Sequence, residues 1–244
     1  KSVLIHAFIV VYLNATLGAN IIGGWKVPDG SMQFMASLQD NGVHVCGGFL
    51  ISEDFVLTAA HCEKANSLVL STHHLPPASS DMRYNVKKCK HPDYKDVYLG
   101  NDIMLLKLSR KAQGSVQIVE LGSVSDTSCQ VAGWGYTSNE NREPVNDLQQ
   151  VSVQIVKDKD CKKKWGTLPQ NTFCAGGMET GKGICQCDSG GPLVCNNKAV
   201  GIVSYNRNGN CDYKKNKKND FPNVYTDISK FLPWINEIVK KGDC

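Results

Sequence analysis

The sequence predicts an all-β fold, built as a sandwich or as a pair of barrels, that ends in a C-terminal helix. Beyond residue 20, short apolar runs of about four to eight residues alternate with turn residues, which is typical of strands in such folds. Long amphipathic helical patterns are absent until the last segment, "DISKFLPWINEIVKK". With 244 residues, the chain is long enough for one large or two small domains with a substantial core.

Seven segments in chain order have the length and composition of strands. Each is rich in aliphatic residues and is bounded by glycine, proline or polar turn residues. The segments are "MQFMASLQ", "FLISEDFVLTAA", "DIMLLKL", "VQIVEL", "QVAGWG", "VSVQIV" and "PLVC…KAVGIVSY". The C-terminal helix is indicated by apolar side chains at helical spacing, namely Ile228, Phe231, Leu232, Ile235 and Ile238.

The first residues have the pattern of a secretory signal peptide. Lys1 precedes an apolar run from Val3 to Leu13, and small and polar residues follow it. A transmembrane anchor is the alternative, but the run is too short, and no later segment approaches the roughly 18 apolar residues of a spanning helix. We therefore expect residues 1–18 to be a signal peptide whose start is missing, and the protein to be secreted and not membrane-bound.

The cysteines, 11 in number, all follow this segment. In a secreted chain they indicate a disulfide framework, and their odd number leaves at least one unpaired or paired outside the chain. A zinc cluster is the competing use, but no C-x-x-C pair with a matching partner occurs, and His73 and His74 have no further ligand-type residues nearby in sequence. We therefore predict no metal and no cofactor.

The charge of the chain is nearly balanced. Removing the signal peptide takes away only Lys1, which leaves 26 basic against 23 acidic residues, or +3. This excess is too small to indicate a nucleic-acid partner. Two basic groups are most simply solvated surface, and a weak docking site for acidic glycans is the sharper interpretation. They are Lys162–Lys164 and the loop lysines Lys214, Lys215, Lys217 and Lys218.

Three widely separated segments contain the residue types that acyl transfer requires. "LTAAHC" holds His61, "GNDIMLLKL" holds Asp102 and "CDSGGPL" holds Ser189. A serine hydroxyl becomes nucleophilic at neutral pH when an imidazole takes its proton, and a buried carboxylate fixes the tautomer of that imidazole. Singly, the three residues have simpler explanations as a packed histidine, a strand cap and a plain turn. Together they indicate a nucleophile with its base and orienting acid.

In this order and with these flanking residues, the chain resembles the chymotrypsin-type serine proteases, and in character it is most similar to the granzymes and mast-cell proteases of secretory granules. The resemblance covers residues 21–244. It rests on "IIGG", "CGGFLISEDFVLTAAHC", "NDIMLLKL", "VAGWG", "CDSGGPL", "IVSY" and "PNVYTDISKFLPWI". It implies two six-stranded antiparallel β-barrels with the triad in the cleft between them, followed by a C-terminal α-helix.

The resemblance also implies domain boundaries and an activation step. We expect a protease domain at 21–242, with barrels at about 31–112 and 123–231 and the helix at about 228–240. A cut after Asn20 would free the α-amine of Ile21, which in related proteases pairs with the carboxylate beside the nucleophile, here Asp188. Ala19–Asn20 offers no basic residue, so we expect residues 19–20 to be a dipeptide that a dipeptidyl peptidase removes from the zymogen.

By the same resemblance, eight cysteines form four disulfides. A fifth pair is expected because the strand before Asp102 runs near the C-terminal helix in this fold, which leaves Cys187 unpaired. The four implied pairs are Cys46–Cys62, Cys129–Cys195, Cys161–Cys174 and Cys185–Cys211, and the fifth is Cys89–Cys244.

The pocket that receives the substrate side chain before the scissile bond is also implied by the resemblance. Its base is Gly183, so the acidic residue that would attract Lys or Arg is absent. Its walls are Asn206 and Asn223, where relatives commonly have glycine, and Ser204 and Tyr205 lie beside them. Two amide side chains are expected to narrow the pocket and make it polar. We predict poor cleavage after Arg or Lys and a poor fit for large aromatic side chains.

Cys187 is the residue that most lowers the expected activity. The resemblance assigns the oxyanion hole to the backbone N–H groups of Ser189 and Cys187. Relatives have glycine at the second position, and a Cβ makes glycine-type backbone angles costly. Rotation of the peptide to relieve that strain would remove one donor, and an exposed thiolate would be open to oxidation.

These observations predict a secreted or granule-stored serine endopeptidase that acts as a monomer on protein or peptide substrates and is open to protein inhibitors. The alternative is a protease-fold binding protein with weak or no catalysis. The triad favours the enzyme, whereas Cys187 and the two pocket asparagines favour the binding protein.

Overall fold

The structure is a computed structural model that describes residues 21–75, 79–125, 127–178, 180–213 and 221–244. The expected signal peptide, the dipeptide at 19–20 and the four lysines between 214 and 218 lie outside the described residues. The described part contains two closed six-stranded β-barrels and a C-terminal helix that follows the second barrel. The prediction of two antiparallel barrels with a C-terminal helix is therefore confirmed.

The first barrel is formed by the N-terminal half of the chain. Its strands, and a short strand before them, are β1 (Trp25–Lys26), β2 (Met35–Asp40), β3 (Val43–Ser52), β4 (Phe55–Thr58), β5 (Ser67–Val69), β6 (Arg83–Lys90) and β7 (Met104–Leu108). The barrel closes in the order β2-β3-β4-β7-β6-β5. Phe49, Leu57 and Leu105 are cross-strand partners on β3, β4 and β7, and all three are fully buried in its core.

The second barrel is formed by the C-terminal half. Its strands, with the short β8 that precedes them, are β8 (Glu120–Leu121), β9 (Ser128–Gly133), β10 (Gln149–Val156), β11 (Thr172–Ala175), β12 (Pro192–Cys195), β13 (Lys198–Tyr205) and β14 (Asn223–Asp227). The order is β10-β11-β14-β13-β12-β9, and pairing of β9 with β10 closes the barrel. Val131 pairs with Val151 on one side and Leu193 on the other, and these side chains are buried in its core.

Two α-helices occur among the described residues, α1 (Asp158–Trp165) and α2 (Leu232–Lys241). In α2, Ile235 is buried in the apolar core that contains the side chains of the first barrel, and Ile238 packs against the same core, so this face of the helix covers it. Gly242 ends α2 in the left-handed conformation that helix C-termini favour. Within the described ranges, no helix is both long and apolar enough to cross a membrane.

The helices differ from the expectation in two places. The predicted start at residue 228 is a separate 3₁₀ turn, Ile228–Lys230, capped by the Asp227 carboxylate, and the α-helix begins only at Leu232 with a proline in its first turn. Lys162–Lys164 form the last turn of α1, a helix that the apolar pattern did not reveal because only Cys161 of its residues is buried. These lysines are exposed, and Lys162 pairs with Asp158 at 2.7 Å.

Five disulfides connect the ten cysteines in the pairs that were expected from the sequence: Cys46–Cys62, Cys89–Cys244, Cys129–Cys195, Cys161–Cys174 and Cys185–Cys211. Cys89–Cys244 ties β6 to the end of the chain after α2. Among the described residues, Cys187 is the free cysteine.

Candidate active site

His61 and Asp102 are placed side by side by the first barrel. His61 lies on a 3₁₀ turn, Ala60–Cys62, that follows β4 directly, and the disulfide to Cys46 ties this turn back to β3. Asp102 precedes β7, the antiparallel neighbour of β4. The imidazole Nδ1 is 2.8 Å from Asp102 Oδ2, and the backbone N–H of His61 donates to Oδ1 at 3.0 Å.

The Asp102 carboxylate is buried and well supplied with donors. Only 1% of its side chain is exposed, against 25% for His61. The Ser204 hydroxyl, from β13 of the second barrel, donates to Oδ2 at 2.5 Å. Burial alone would raise the pKa of Asp102, but the hydrogen bonds and charge interaction with His61, together with the Ser204 bond, outweigh it and hold the pKa below its ordinary value. The group is therefore a carboxylate at neutral pH.

The Ser189 turn lies where the second barrel meets the first. The carbonyl oxygen of Ser189 accepts from the N–H of Gly47 on β3 at 2.8 Å, and Cys62 Sγ lies 3.7 Å from the same oxygen. Gly190 has a φ of +80°, and a Cβ there would overlap the Thr58 hydroxyl at the end of β4. The glycine therefore allows the serine turn to pack directly against the end of β4, which leads into the His61 turn.

Cys187 adopts the backbone conformation that glycine favours, with a φ of +70°. Its carbonyl oxygen accepts from His44 Nε2 at 3.0 Å, and His44 Nδ1 lies 2.8 Å from the Ser37 hydroxyl. Burial lowers the pKa of His44 to about 4, although the bond to Cys187 acts in the opposite direction. The imidazole is thus neutral, with Nε2–H donating to Cys187 and Nδ1 accepting from Ser37.

The thiol of Cys187 is half-buried beside the Ser189 turn. Burial, reinforced by the neighbouring Asp188, raises its pKa to about 11, and a hydrogen bond with Tyr136 offsets only part of the shift. A thiol with this pKa stays protonated at neutral pH, and the thiolate is the species that oxidants attack. Oxidation was expected only for an exposed thiolate, and that condition is not met here.

The carboxyl group of Asp188 lies against Gly133 and Gly135, at and just after the end of β9. Its side chain is fully buried, and its carboxyl oxygens accept from the N–H groups of Gly135 at 2.9 Å and Cys185 at 2.8 Å. Burial raises its pKa to about 7, despite these two bonds. Ile21 is also fully buried in the core of this barrel, and the carbonyl of Ile22 accepts from Gly183 N–H at 3.3 Å. Residues 21 and 22 thus pack into the second barrel.

The predicted pocket residues lie close together around Gly183. A Cβ built on Gly183 would lie 2.5 Å from Asn223 Oδ1, and the same oxygen accepts from Ile184 N–H at 3.2 Å. The Asn206 amide donates to Asn210 O at 3.1 Å. Tyr205 follows Ser204 on β13 and packs edge-on against the rings of two other aromatic residues, Tyr98 and Trp165.

Two functional candidates were missed by sequence reasoning. His44 on β3 supports the Cys187 peptide, and Tyr213 makes hydrogen bonds with both pocket asparagines. Neither stands in a motif that marks its role. Tyr213 lies two residues after Cys211 in a loop, and His44 lies near the start of a strand, so only their neighbours in space reveal them.

Known proteins are similar to this chain over most of its length. Residues 21–235 match the family described as Trypsin. The chain is 37% identical to Trypsin-3 of Salmo salar over 231 residues, which cover 91% of this chain and 94% of that protein. It is 37% identical to Duodenase-1 of Bos taurus over 91% of this chain and 90% of that protein. It is 36% identical to human Cathepsin G over 90% and 88% of the respective chains. The chain therefore belongs to the trypsin family of chymotrypsin-type serine proteases, which are serine endopeptidases.

Proposed function

We propose that this protein is a secreted or granule-stored endopeptidase that hydrolyses peptide bonds with His61, Asp102 and Ser189 as its catalytic triad. The observation that carries the proposal is the buried Asp102 carboxylate, 2.8 Å from His61 Nδ1, together with the 3.7 Å distance between the Ser189 carbonyl oxygen and Sγ of Cys62, the residue after His61. The expected secretion is supported by the five disulfides, which form and persist in oxidising compartments.

The triad would work by acyl transfer. Because Asp102 accepts the Nδ1 proton of His61, Nε2 is left as the base. Ser189 Oγ bonds to the scissile carbonyl carbon while its proton passes to Nε2, and the carbonyl oxygen becomes an oxyanion. The C–N bond then breaks as His61 returns the proton to the leaving amine. Water repeats both steps on the acyl-serine and releases the carboxylic acid.

The oxyanion hole would use the backbone N–H groups of Cys187 and Ser189. Cys187 keeps a glycine-like backbone at a φ of +70°, and the bond from His44 to its carbonyl oxygen supports that orientation. A Cβ in this conformation costs about 1–3 kcal/mol, which favours any alternative peptide orientation that loses the donor. We therefore propose that the hole is present but weakened.

Activation would follow removal of residues 19–20. The freed ammonium of Ile21 would pair with Asp188, whose carboxyl is fully buried in the core that holds the Ile21 side chain. Pairing with a cation favours the ionised carboxylate, so the pKa of Asp188 should fall from about 7 on cleavage.

The specificity would be non-tryptic, because Gly183 provides no carboxylate at the pocket base. Protein and peptide substrates, and protein inhibitors of serine proteases, are the proposed partners, with the enzyme acting as a monomer. The exposed Lys162–Lys164 on α1 would be the part of the described surface for weak docking of acidic glycans.

The protease-fold binding protein is the second candidate, and the strained Cys187 is the observation that favours it. The two are separated by incubating protein that begins at Ile21 with a serine-directed fluorophosphonate probe. The enzyme predicts covalent labelling at Ser189, which the Ser189→Ala and His61→Ala variants should lack. Folded protein that remains unlabelled would support the binding protein instead.

A further inference from the structure

We propose that the side chain of Tyr213 fills the pocket for the substrate residue before the scissile bond and so restricts the enzyme to glycine, alanine or serine there. The inference rests on the proposed function, because it takes the pocket between Gly183, Asn206 and Asn223 as the substrate pocket. It names a specificity-determining residue and a substrate class for that site.

The phenol ring stands at the pocket base. A Cβ built on Gly183 would lie 2.6 Å from Cε2 and 2.9 Å from Cζ of Tyr213, both shorter than an ordinary carbon–carbon contact. The same Cβ would lie 2.5 Å from Asn223 Oδ1. The base therefore has no room even for a methyl group, although the residue there is glycine.

The hydroxyl of Tyr213 links both walls to the base. It donates to Ile184 O at 2.6 Å, and it accepts from Asn223 Nδ2 at 2.8 Å and Asn206 Nδ2 at 3.2 Å. A phenolic oxygen has one proton to donate and can accept at its lone pairs, so this arrangement uses the donor and two acceptor positions. The two asparagines are thus bridged by a third polar group and do not face open space.

The backbone and burial of Tyr213 hold the ring in this position. Its side chain is 2% exposed, and its carbonyl oxygen accepts from Gly181 N–H at 3.0 Å. Two residues earlier, Cys211 is joined by a disulfide to Cys185, in the segment that contains the pocket base. Moving the ring out would leave the Asn223 amide and the Ile184 carbonyl buried without this partner, which is costly.

This geometry selects the substrate by size. A large aromatic, aliphatic or basic side chain would have to displace the phenol and break its three hydrogen bonds. Glycine, alanine or serine needs little or no depth and leaves the network intact. One methylene more or less in a filled pocket changes specificity by about 10- to 200-fold, so the discrimination against large side chains is expected to be strong.

The test uses cleaved wild-type protein and the variants Tyr213→Gly and Tyr213→Phe, with matched peptides that carry alanine or phenylalanine before the scissile bond. We expect the wild type to prefer alanine. Tyr213→Gly should raise the phenylalanine-to-alanine ratio of kcat/KM by about 100-fold, whereas Tyr213→Phe, which keeps the ring, should change it far less.

Efficient wild-type cleavage after phenylalanine, leucine or methionine would overturn the inference without reference to any variant. So would an unchanged ratio in a folded Tyr213→Gly protein. Fluorophosphonate labelling separates these results from failure of the proposed function, because the probe reports Ser189 without requiring a filled pocket.

If wild type and variants do not label, p-cresol provides a readout independent of catalysis. This compound has the same atoms as the side chain that Tyr213→Gly removes, so it should bind Tyr213→Gly and not the wild type. A crystal structure of the complex should show its ring beside Gly183. Binding elsewhere, or equal binding to both proteins, would overturn the pocket assignment.

Discussion

Replacing Cys187 by glycine should raise turnover, because it removes the Cβ from a backbone position with a φ of +70°. In this conformation the Cβ of an L-residue crowds the backbone, whereas glycine has no such cost. The peptide that ends at Cys187 N–H is the proposed oxyanion donor. His44 holds the carbonyl oxygen of Cys187 with a hydrogen bond of 3.0 Å. Once the strain at Cys187 is relieved, the peptide that carries the Cys187 N–H should therefore occupy its productive orientation more of the time.

The magnitude follows from two limits. The strain of a non-glycine residue here is about 1–3 kcal/mol, and glycine loses about 0.5–1 kcal/mol more through chain entropy on folding. The free energy of unfolding should therefore rise by about 1 kcal/mol. Turnover should rise by more than measurement error but less than about 10²–10³-fold, which is the effect of removing an oxyanion donor completely.

The measurements are kcat and KM on a peptide substrate and urea unfolding of wild type, Cys187→Gly and Cys187→Ala. Alanine retains the Cβ and removes only the thiol, so it should resemble the wild type in both kcat and stability. Equal gains in the two variants would assign the effect to the thiol. Unchanged kinetics and stability in Cys187→Gly would refute the strain argument.

Three further predictions concern the surroundings of the triad. The pKa of His44 is about 4 in the folded chain, against an ordinary 6.5. Between these two pH values the unfolded state binds more protons than the folded state. His44 therefore lowers the free energy of unfolding by about 3 kcal/mol as the pH falls from 6.5 to 4. Urea unfolding at stepped pH should show a shallower decline in His44→Gln, and parallel curves would contradict it. Ser204→Ala removes the 2.5 Å donor to Asp102, one of the groups that lower the pKa of this carboxyl. The value of kcat/KM on a peptide substrate should fall about tenfold or more, and an unchanged kcat/KM would exclude the coupling. Gly190→Ala adds a Cβ at a φ of +80° against the Thr58 hydroxyl, and denaturant midpoints should show a loss of about 3 kcal/mol or more. A loss below about 1 kcal/mol would mean that the serine turn can move away from β4.

Several strands could not be recognised by their apolar pattern. Strand β6 (Arg83–Lys90) contains three lysines and buries only Tyr84 and Cys89, so its side chains do not form an apolar run. It is a strand because β5 and β7 pair with its backbone on both sides. The segment "VQIVEL" shows the converse, because its apolar pattern predicts a strand of six residues. It connects the two barrels, and only its last two residues, Glu120–Leu121, pair as a strand, in parallel with β13. Pairing within a closed barrel overrides local propensity at these places.

The sequence by itself determined the family, the two-barrel fold and the residues proposed for the triad and the disulfides. The triad is carried by motifs whose residue types are required by chemistry, the histidine, the aspartate and the serine among glycines, and such motifs can be read without knowing their neighbours. The fold with two barrels and the disulfide pairs followed from the resemblance of these motifs to the chymotrypsin-type serine proteases.

Only the tertiary structure decided which groups Tyr213 contacts and which conformation Cys187 adopts. Tyr213 lies ten residues before Asn223 and 29 after Ile184, yet its hydroxyl contacts both. His44 reaches Cys187 across a separation of 143 residues. Contacts of this kind arise where the two barrels and their loops pack together. They cannot be predicted from the local sequence, because it does not indicate which distant side chain will lie beside a given residue.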